Sequence, residues 1–201
     1  VLEANNLQPI GVLALQGNFA AHIKMCNKIG VAAVEVREVA ELHNISALII
    51  PGGESSALLK LMQPQNFIAA IQNFYHKGGA IFGTCAGLIL LAKKVLPQQD
   101  SLSLLNVTVE RNAYGRQLES FVGHGELQFT GKKHTLAQMV FIRAPKITAV
   151  GSDVLVIASL NGDPVLVAGE RVLGCSFHPE MSDDPFIHQY FIDNMVGHER
   201  A

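Results

Sequence analysis

The sequence predicts a three-layer α/β sandwich built on a mostly parallel sheet, with some antiparallel strands in its C-terminal half. Three observations carry this. Short apolar runs alternate with amphipathic stretches through the first half of the chain, the pattern of strands joined by crossover helices. Of the 201 residues, 49% are hydrophobic and only 16% are charged, which suits a sheet covered on both faces. No Pro/Gly/Ser-rich linker, charge block or internal repeat divides the chain, so one domain is expected.

Taken in order, residues 10–15 read as a buried strand, and Gln16-Gly17-Asn18 turns the chain into a helix over 19–29. Residues 32–36 are a second strand and 47–50 a third, ending at Pro51-Gly52-Gly53. Ser55 is placed to cap the helix that follows, and residues 67–77 continue helical. Residues 80–82 form a fourth strand, after which Gly83-Thr84-Cys85-Ala86-Gly87 leads into a helix reaching residue 94. Beyond it, 107–109, 127–129, 139–142, 154–160, 164–168 and 172–176 are mostly strand-like. Asn161-Gly162 between two of these runs is a strong hairpin signal. An amphipathic helix over 185–196 ends the pattern.

Composition excludes several classes of function. Lys+Arg 15 against Asp+Glu 17, with no basic run, argues against a nucleic-acid surface. No apolar run approaches the ~18 residues of a membrane span, and residues 1–6 carry neither the basic nor the apolar part of a signal peptide. The three cysteines, Cys26, Cys85 and Cys175, are an odd number in a chain too long to need disulfides. That usage suits a reducing compartment, and a cytoplasmic location is expected.

The chemistry concentrates in three places. Gly83-Thr84-Cys85-Ala86-Gly87 has the form of a nucleophile elbow, small-x-nucleophile-x-small, with Cys in place of Ser. At a helix N-terminus the dipole and free N–H groups favour a thiolate, and the Ala86 N–H is placed to donate to an oxyanion. His178-Pro179-Glu180 follows a buried strand; in an extended segment residues i and i+2 face the same side, so Glu180 can hold the imidazole that takes the Cys85 proton. The remaining histidines, His22, His43, His76, His124, His134, His188 and His198, read as surface residues. Pro51-Gly52-Gly53-Glu54-Ser55 again joins a strand to a helix, and Gly53 is assigned the second oxyanion donor. All three pieces fall at carboxyl ends of strands, where open α/β sheets carry their sites. Cys26 and Cys175 read as core residues. No metal is expected, because the Cys and His spacings match no zinc pattern.

Gly83-Thr84-Cys85-Ala86-Gly87 with a distant His178-Pro179-Glu180 resembles the class I, triad-type glutamine amidotransferases. Residues 12–17, 51–55, 109–112, 114–117, 141–145 and 174–180 are similar to the glutaminase subunits of pyridoxal 5′-phosphate synthase. The resemblance implies a flavodoxin-like sheet in one amidotransferase domain over 1–201, with residues 1–9 an extension. It implies Cys85 as nucleophile and His178 with Glu180 as relay. It also implies a glutamine pocket lined by Gly52, Gly53, Glu54, Arg111, Ile142 and Arg143. Arg111, Arg116 and Arg143 are the candidates to grip the substrate α-carboxylate through two hydrogen bonds. No cofactor is implied; the implied partners are L-glutamine and a synthase subunit that receives the ammonia. Val122 departs from the family, which usually has an acidic residue there. The competing expectations are a glutaminase serving another acceptor and a free-standing thiol hydrolase of the elbow-cysteine type.

Overall fold

Alternation along the first strands divides the core into two layers. In the computed structural model, β1 (Ile10–Leu13), β3 (Ala47–Ile50) and β4 (Ala80–Thr84) are buried on both faces. Ile10, Val12, Ala47, Ile49, Ala80 and Phe82 point to one layer, while Leu13, Leu48, Ile50 and Ile81 point to the other. Successive strand side chains face opposite sides, so each strand feeds both layers. The structure describes residues 8–111, 120–129 and 132–197, with 124–129 and 132–137 described as backbone only.

Among the described residues the main sheet has nine strands. With β2 (Ala33–Val36), β7 (Ser120–Phe129), β8 (Lys132–Ile142), β10 (Leu155–Leu160), β11 (Asp163–Ala168) and β12 (Val172–Cys175), its order is β2-β1-β3-β4-β12-β11-β10-β7-β8. The first five strands of that order are mutually parallel and the remaining pairings are antiparallel. The parallel part is the doubly wound order 2-1-3-4-5, with β12 as its fifth strand. Helices α1 (Phe19–Lys28) and α5 (Phe186–Met195) supply Cys26, Ile187, Phe191 and Met195 to the first layer. Helices α2 (Ser55–Met62), α3 (Phe67–His76) and α4 (Ala86–Leu91) supply Leu58, Ile71 and Leu88 to the second. The expected three-layer sandwich is therefore observed.

Several features differ from the sequence reading, among them strands β7 and β8, which each begin seven residues before the runs expected at 127–129 and 139–142. The helix expected to reach residue 94 stops at Leu91, and β5 (Ala92–Leu96) pairs parallel with β6 (Leu105–Glu110). The helix ends there because the carbonyls of Leu90 and Leu91 are taken by the N–H groups of Leu102 and Leu104, at 2.7 and 3.0 Å. An unexpected strand, β9 (Lys146–Val150), pairs antiparallel with β6 and completes a small sheet over the second layer. Glu54 rather than Ser55 caps α2, its carboxylate accepting from the Ser56 and Ala57 N–H groups. The hairpin at Asn161-Gly162 stands, with both residues at positive φ (52° and 87°), the conformation of a type I′ turn.

Helix α4 starts directly against β3. A Cβ at Gly87 would lie 2.1 Å from the Ile50 carbonyl oxygen, a backbone atom that cannot swing away. Gly87→Ala should therefore lower stability by about 1–3 kcal/mol, the usual cost of overpacking, read as a lower urea midpoint. A wild-type midpoint would mean that α4 withdraws from β3 freely.

Candidate active site

The elbow forms where β4 ends. Cys85 adopts φ 49°, ψ −102°, a conformation that L side chains rarely take and that costs on the order of 1–3 kcal/mol. Three anchors hold it: its N–H donates to the Cys175 carbonyl (2.9 Å), its carbonyl accepts from Ile89 N–H (3.2 Å), and α4 begins at the next residue. The turn leaves Sγ at the floor of a cleft, 3.9 Å from the Ile142 carbonyl oxygen. As N1 of α4, Ala86 presents an N–H with no intrahelical partner.

His178 leaves β12 beside this elbow, fixed by its N–H to the Val140 carbonyl at 2.8 Å. Its Nδ1 is 2.8 Å from Glu180 Oε1. The two side chains meet as expected but not through an extended segment: Pro179–Met181 is a 3₁₀ turn, closed by Met181 N–H to the His178 carbonyl. Gly52 fills the angle between the imidazole and the elbow. A Cβ there would fall 2.3 Å from His178 Cε1 and 3.2 Å from Cys85 Cβ. Burial alone would push the His178 imidazole down, but hydrogen bonds and charge from Cys85 and Glu180 more than offset this and raise it to about 10. Burial would likewise raise the Glu180 carboxyl; the facing imidazoles of His22 and His178 hold it below the usual range instead.

The glycine loop donates selectively. Gly52 N–H is spent on Thr84 Oγ1 (3.0 Å) and Glu54 N–H on Gln16 Oε1 (3.1 Å). The Gly53 N–H between them has no partner among the described residues. The cleft encloses about 330 Å³ and is lined by all of Gly52, Gly53, Glu54, Arg111, Ile142 and Arg143, with Cys85 and His178 in its floor. The two arginines differ. Arg111 donates to Gln99 and sits 3.7 Å from Glu54, whose own carboxyl is held low chiefly by the Ser56 hydroxyl. Arg143, at φ 42° after β8, is exposed and has no such tie among the described residues. Arg116 and the motif residues Asn112, Tyr114, Gly115 and Gln117 lie outside the described residues. A hollow of about 380 Å³ between Val39 and Gly79 brings together no such set of reactive groups.

Two histidines expected at the surface are in the core. His22 and His188 are both 0% exposed, with His22 Nδ1 2.9 Å from His188 Nε2. The spacing carried the signal: His22 shares its helix face with Met25 and Cys26, and His188 with Phe191 and Met195. His22 Nε2 lies 3.3 Å from Thr84 Oγ1 and 3.4 Å from Glu180 Oε2, directly behind the Glu180–His178 pair. His43 and His76 are exposed as expected, whereas the side chains of His124, His134 and His198 lie outside the described residues. Cys26 and Cys175 are fully buried, and burial pushes the Cys26 thiol up to about 11 and the Cys175 thiol well above its ordinary value. Gln16, which orders the Glu54 amide, and Thr84 were not singled out by the sequence.

A Cys, a His and a Glu in line at the carboxyl edge of an open α/β sheet, with free amides beside the thiol, is the arrangement a triad-type thiol hydrolase requires. The chain belongs to the SNO glutamine amidotransferase family, whose pattern matches residues 12–197. It is 45% identical over 189 residues to the pyridoxal 5′-phosphate synthase subunit PdxT of Streptococcus pneumoniae strain CGSP14, covering 92% of this chain and 95% of that one. The subunit from strain 70585 is also 45% identical, over 92% and 96% of the two chains. A solved glutamine amidotransferase superposes with a TM-score of 0.85 at 42% identity, covering 92% of this chain and 98% of its own. PurLQS from Thermotoga maritima shares the fold, with a TM-score of 0.67 at 17% identity over 93% and 99% of the chains.

The buried imidazoles set a pH limit on stability. Burial, its largest cause, lowers His22 despite the opposing Glu180 charge, and burial with the nearby His22 lowers His188 well below 6.5. The unfolded chain takes up protons at both sites below pH 6.5 that the folded chain does not, so stability is lost as pH falls through that value. Tm should fall between pH 7 and 5, and less steeply in His188→Leu. Equal slopes in the two proteins would show that His188 is already charged in the fold.

Proposed function

We propose that this chain hydrolyses L-glutamine to L-glutamate and ammonia, and that it passes the ammonia to a synthase subunit that makes pyridoxal 5′-phosphate. The observation that carries the chemistry is the buried His178, bonded to Glu180 on one side and facing Cys85 on the other. The identity with PdxT supports the acceptor. On this reading Cys85, His178 and Glu180 are the triad, residues 1–201 act as one domain, and the enzyme works in the cytoplasm without nucleic acid or membrane. Among the described residues, no helix is long and apolar enough to cross a bilayer.

The steps follow from the geometry. Cys85 Sγ attacks the carboxamide carbon of glutamine as its proton passes to His178. The Gly53 and Ala86 N–H groups receive the developing oxyanion, donors worth ~100–1000-fold in rate each. His178 then gives its proton to the departing nitrogen, leaving a γ-glutamyl thioester and ammonia. Water, losing a proton to His178, cleaves the thioester and frees glutamate and the thiol. Ammonia released into solvent would be protonated and lost as a nucleophile, so direct transfer to a bound synthase is chemically required for efficiency.

Arg143 grips the α-carboxylate, because Arg111 is already held by Gln99 and Glu54. Arg143→Gln should raise KM for glutamine about 10-fold or more with kcat largely kept, the loss of a charge-assisted hydrogen bond. An unchanged KM would transfer the role to Arg111 or Arg116. Cys85→Ala should abolish glutamate release in the presence of the synthase subunit; release at the wild-type rate would remove Cys85 as nucleophile. Wild-type activity that the synthase subunit does not stimulate would favour a different acceptor.

A further inference from the structure

The two histidines behind the triad are the least expected groups in the molecule. Both are fully buried, burial lowers both imidazoles and so favours their neutral forms, and nothing in the reaction above uses them. Their hydrogen positions can be worked out from their surroundings. His188 Nδ1 has no hydrogen-bond partner among the described residues. If it carried the proton, a donor would be orphaned in the core, which is rarer and costlier than an unused lone pair. The proton therefore sits on His188 Nε2 and is donated to His22 Nδ1 across 2.9 Å. Neutral His22 then carries its proton on Nε2. A second, independent observation gives the same answer. Glu180 Oε2 is buried without a hydrogen bond among the described residues, and its near neighbour is His22 Nε2 at 3.4 Å. A lone pair facing that carboxylate would repel it, whereas an N–H attracts it.

We propose that His22 is a positioning residue of the hydrolytic site, its Nε2–H shared between Thr84 Oγ1 and Glu180 Oε2. Thr84 Oγ1 also accepts the Gly52 N–H at 3.0 Å. One imidazole thus ties the acid of the triad to the loop that carries the Gly53 amide, and His188 fixes its tautomer. The base and the oxyanion donor are held in one frame although they come from different strands. This assignment rests on the hydrolase reading above.

The test separates the two ring nitrogens. Glutamine at position 22 sets its amide nitrogen near the place of Nε2, whereas asparagine sets it near Nδ1. With the synthase subunit present, His22→Gln should keep most of the wild-type kcat. His22→Asn should lose about 10–100-fold in kcat, the scale of a misplaced catalytic group, with KM for glutamine nearly unchanged. Equal kcat in the two variants, whether high or low, overturns the assignment. A wild-type chain that releases no glutamate removes the hydrolase reading instead. The rate at which iodoacetamide alkylates Cys85 still tests His22 in that case. Slower alkylation in His22→Asn than in His22→Gln supports the positioning role, and equal rates overturn it.

Discussion

The reversal of the chain at Cys85 is the constraint on which the site depends. A non-glycine residue at φ 49° is held there only because its surroundings leave no alternative. The Cys175 carbonyl draws its N–H towards β12, and α4 must begin at once against Ile50. Relaxing Cys85 would break the first of these bonds and lift the helix off the sheet. The strain is thus balanced by the packing of the central strands. What the fold gains is a thiol directed into the cleft and a helix amide beside it.

The second constraint is that polar groups lie at depth. His22, Thr84, Glu180 and His188 are buried within the layer that also holds Phe82 and Phe191. Removing a carboxylate from water costs several kcal/mol unless partners replace the lost hydration. Glu180 recovers this from its hydrogen bond with His178 and from the facing His22 imidazole. Replacing any one member leaves the others unpaired in an apolar setting, so the group behaves as a unit rather than as separate contacts.

Much of this was legible in the sequence because the relevant signals are local. The elbow glycines, the His178-Pro179-Glu180 step and the apolar strands each announce themselves within a few residues. The parallel half of the sheet follows from strand–helix alternation. What was not legible depends on contacts distant in sequence. Helix α4 stops at Leu91 because residues 102 and 104 bond its last carbonyls, and nothing between residues 86 and 94 signals that. His22 and His188 meet across 166 positions of sequence, and helical spacing marks each as facing the core without saying that they meet. Even the meeting of His178 and Glu180 was expected for an incomplete reason, since a 3₁₀ turn rather than an extended segment aligns them.

The topology explains why such a site appears only in the finished fold. Strand β12 is the last strand in sequence, yet it lies between β4 and β11 in the centre of the sheet. Until it inserts, Cys85 lacks the Cys175 carbonyl and His178 lacks its anchor on Val140. The cleft also needs Ile142 and Arg143 from the end of β8, on the far side of the antiparallel half. Cys85, His178 and the cleft wall therefore come from segments that are brought together only by long-range pairing, which is slow to form. A partly folded chain has the thiol but neither the facing imidazole nor the cleft, so the whole arrangement is tied to completion of the sheet.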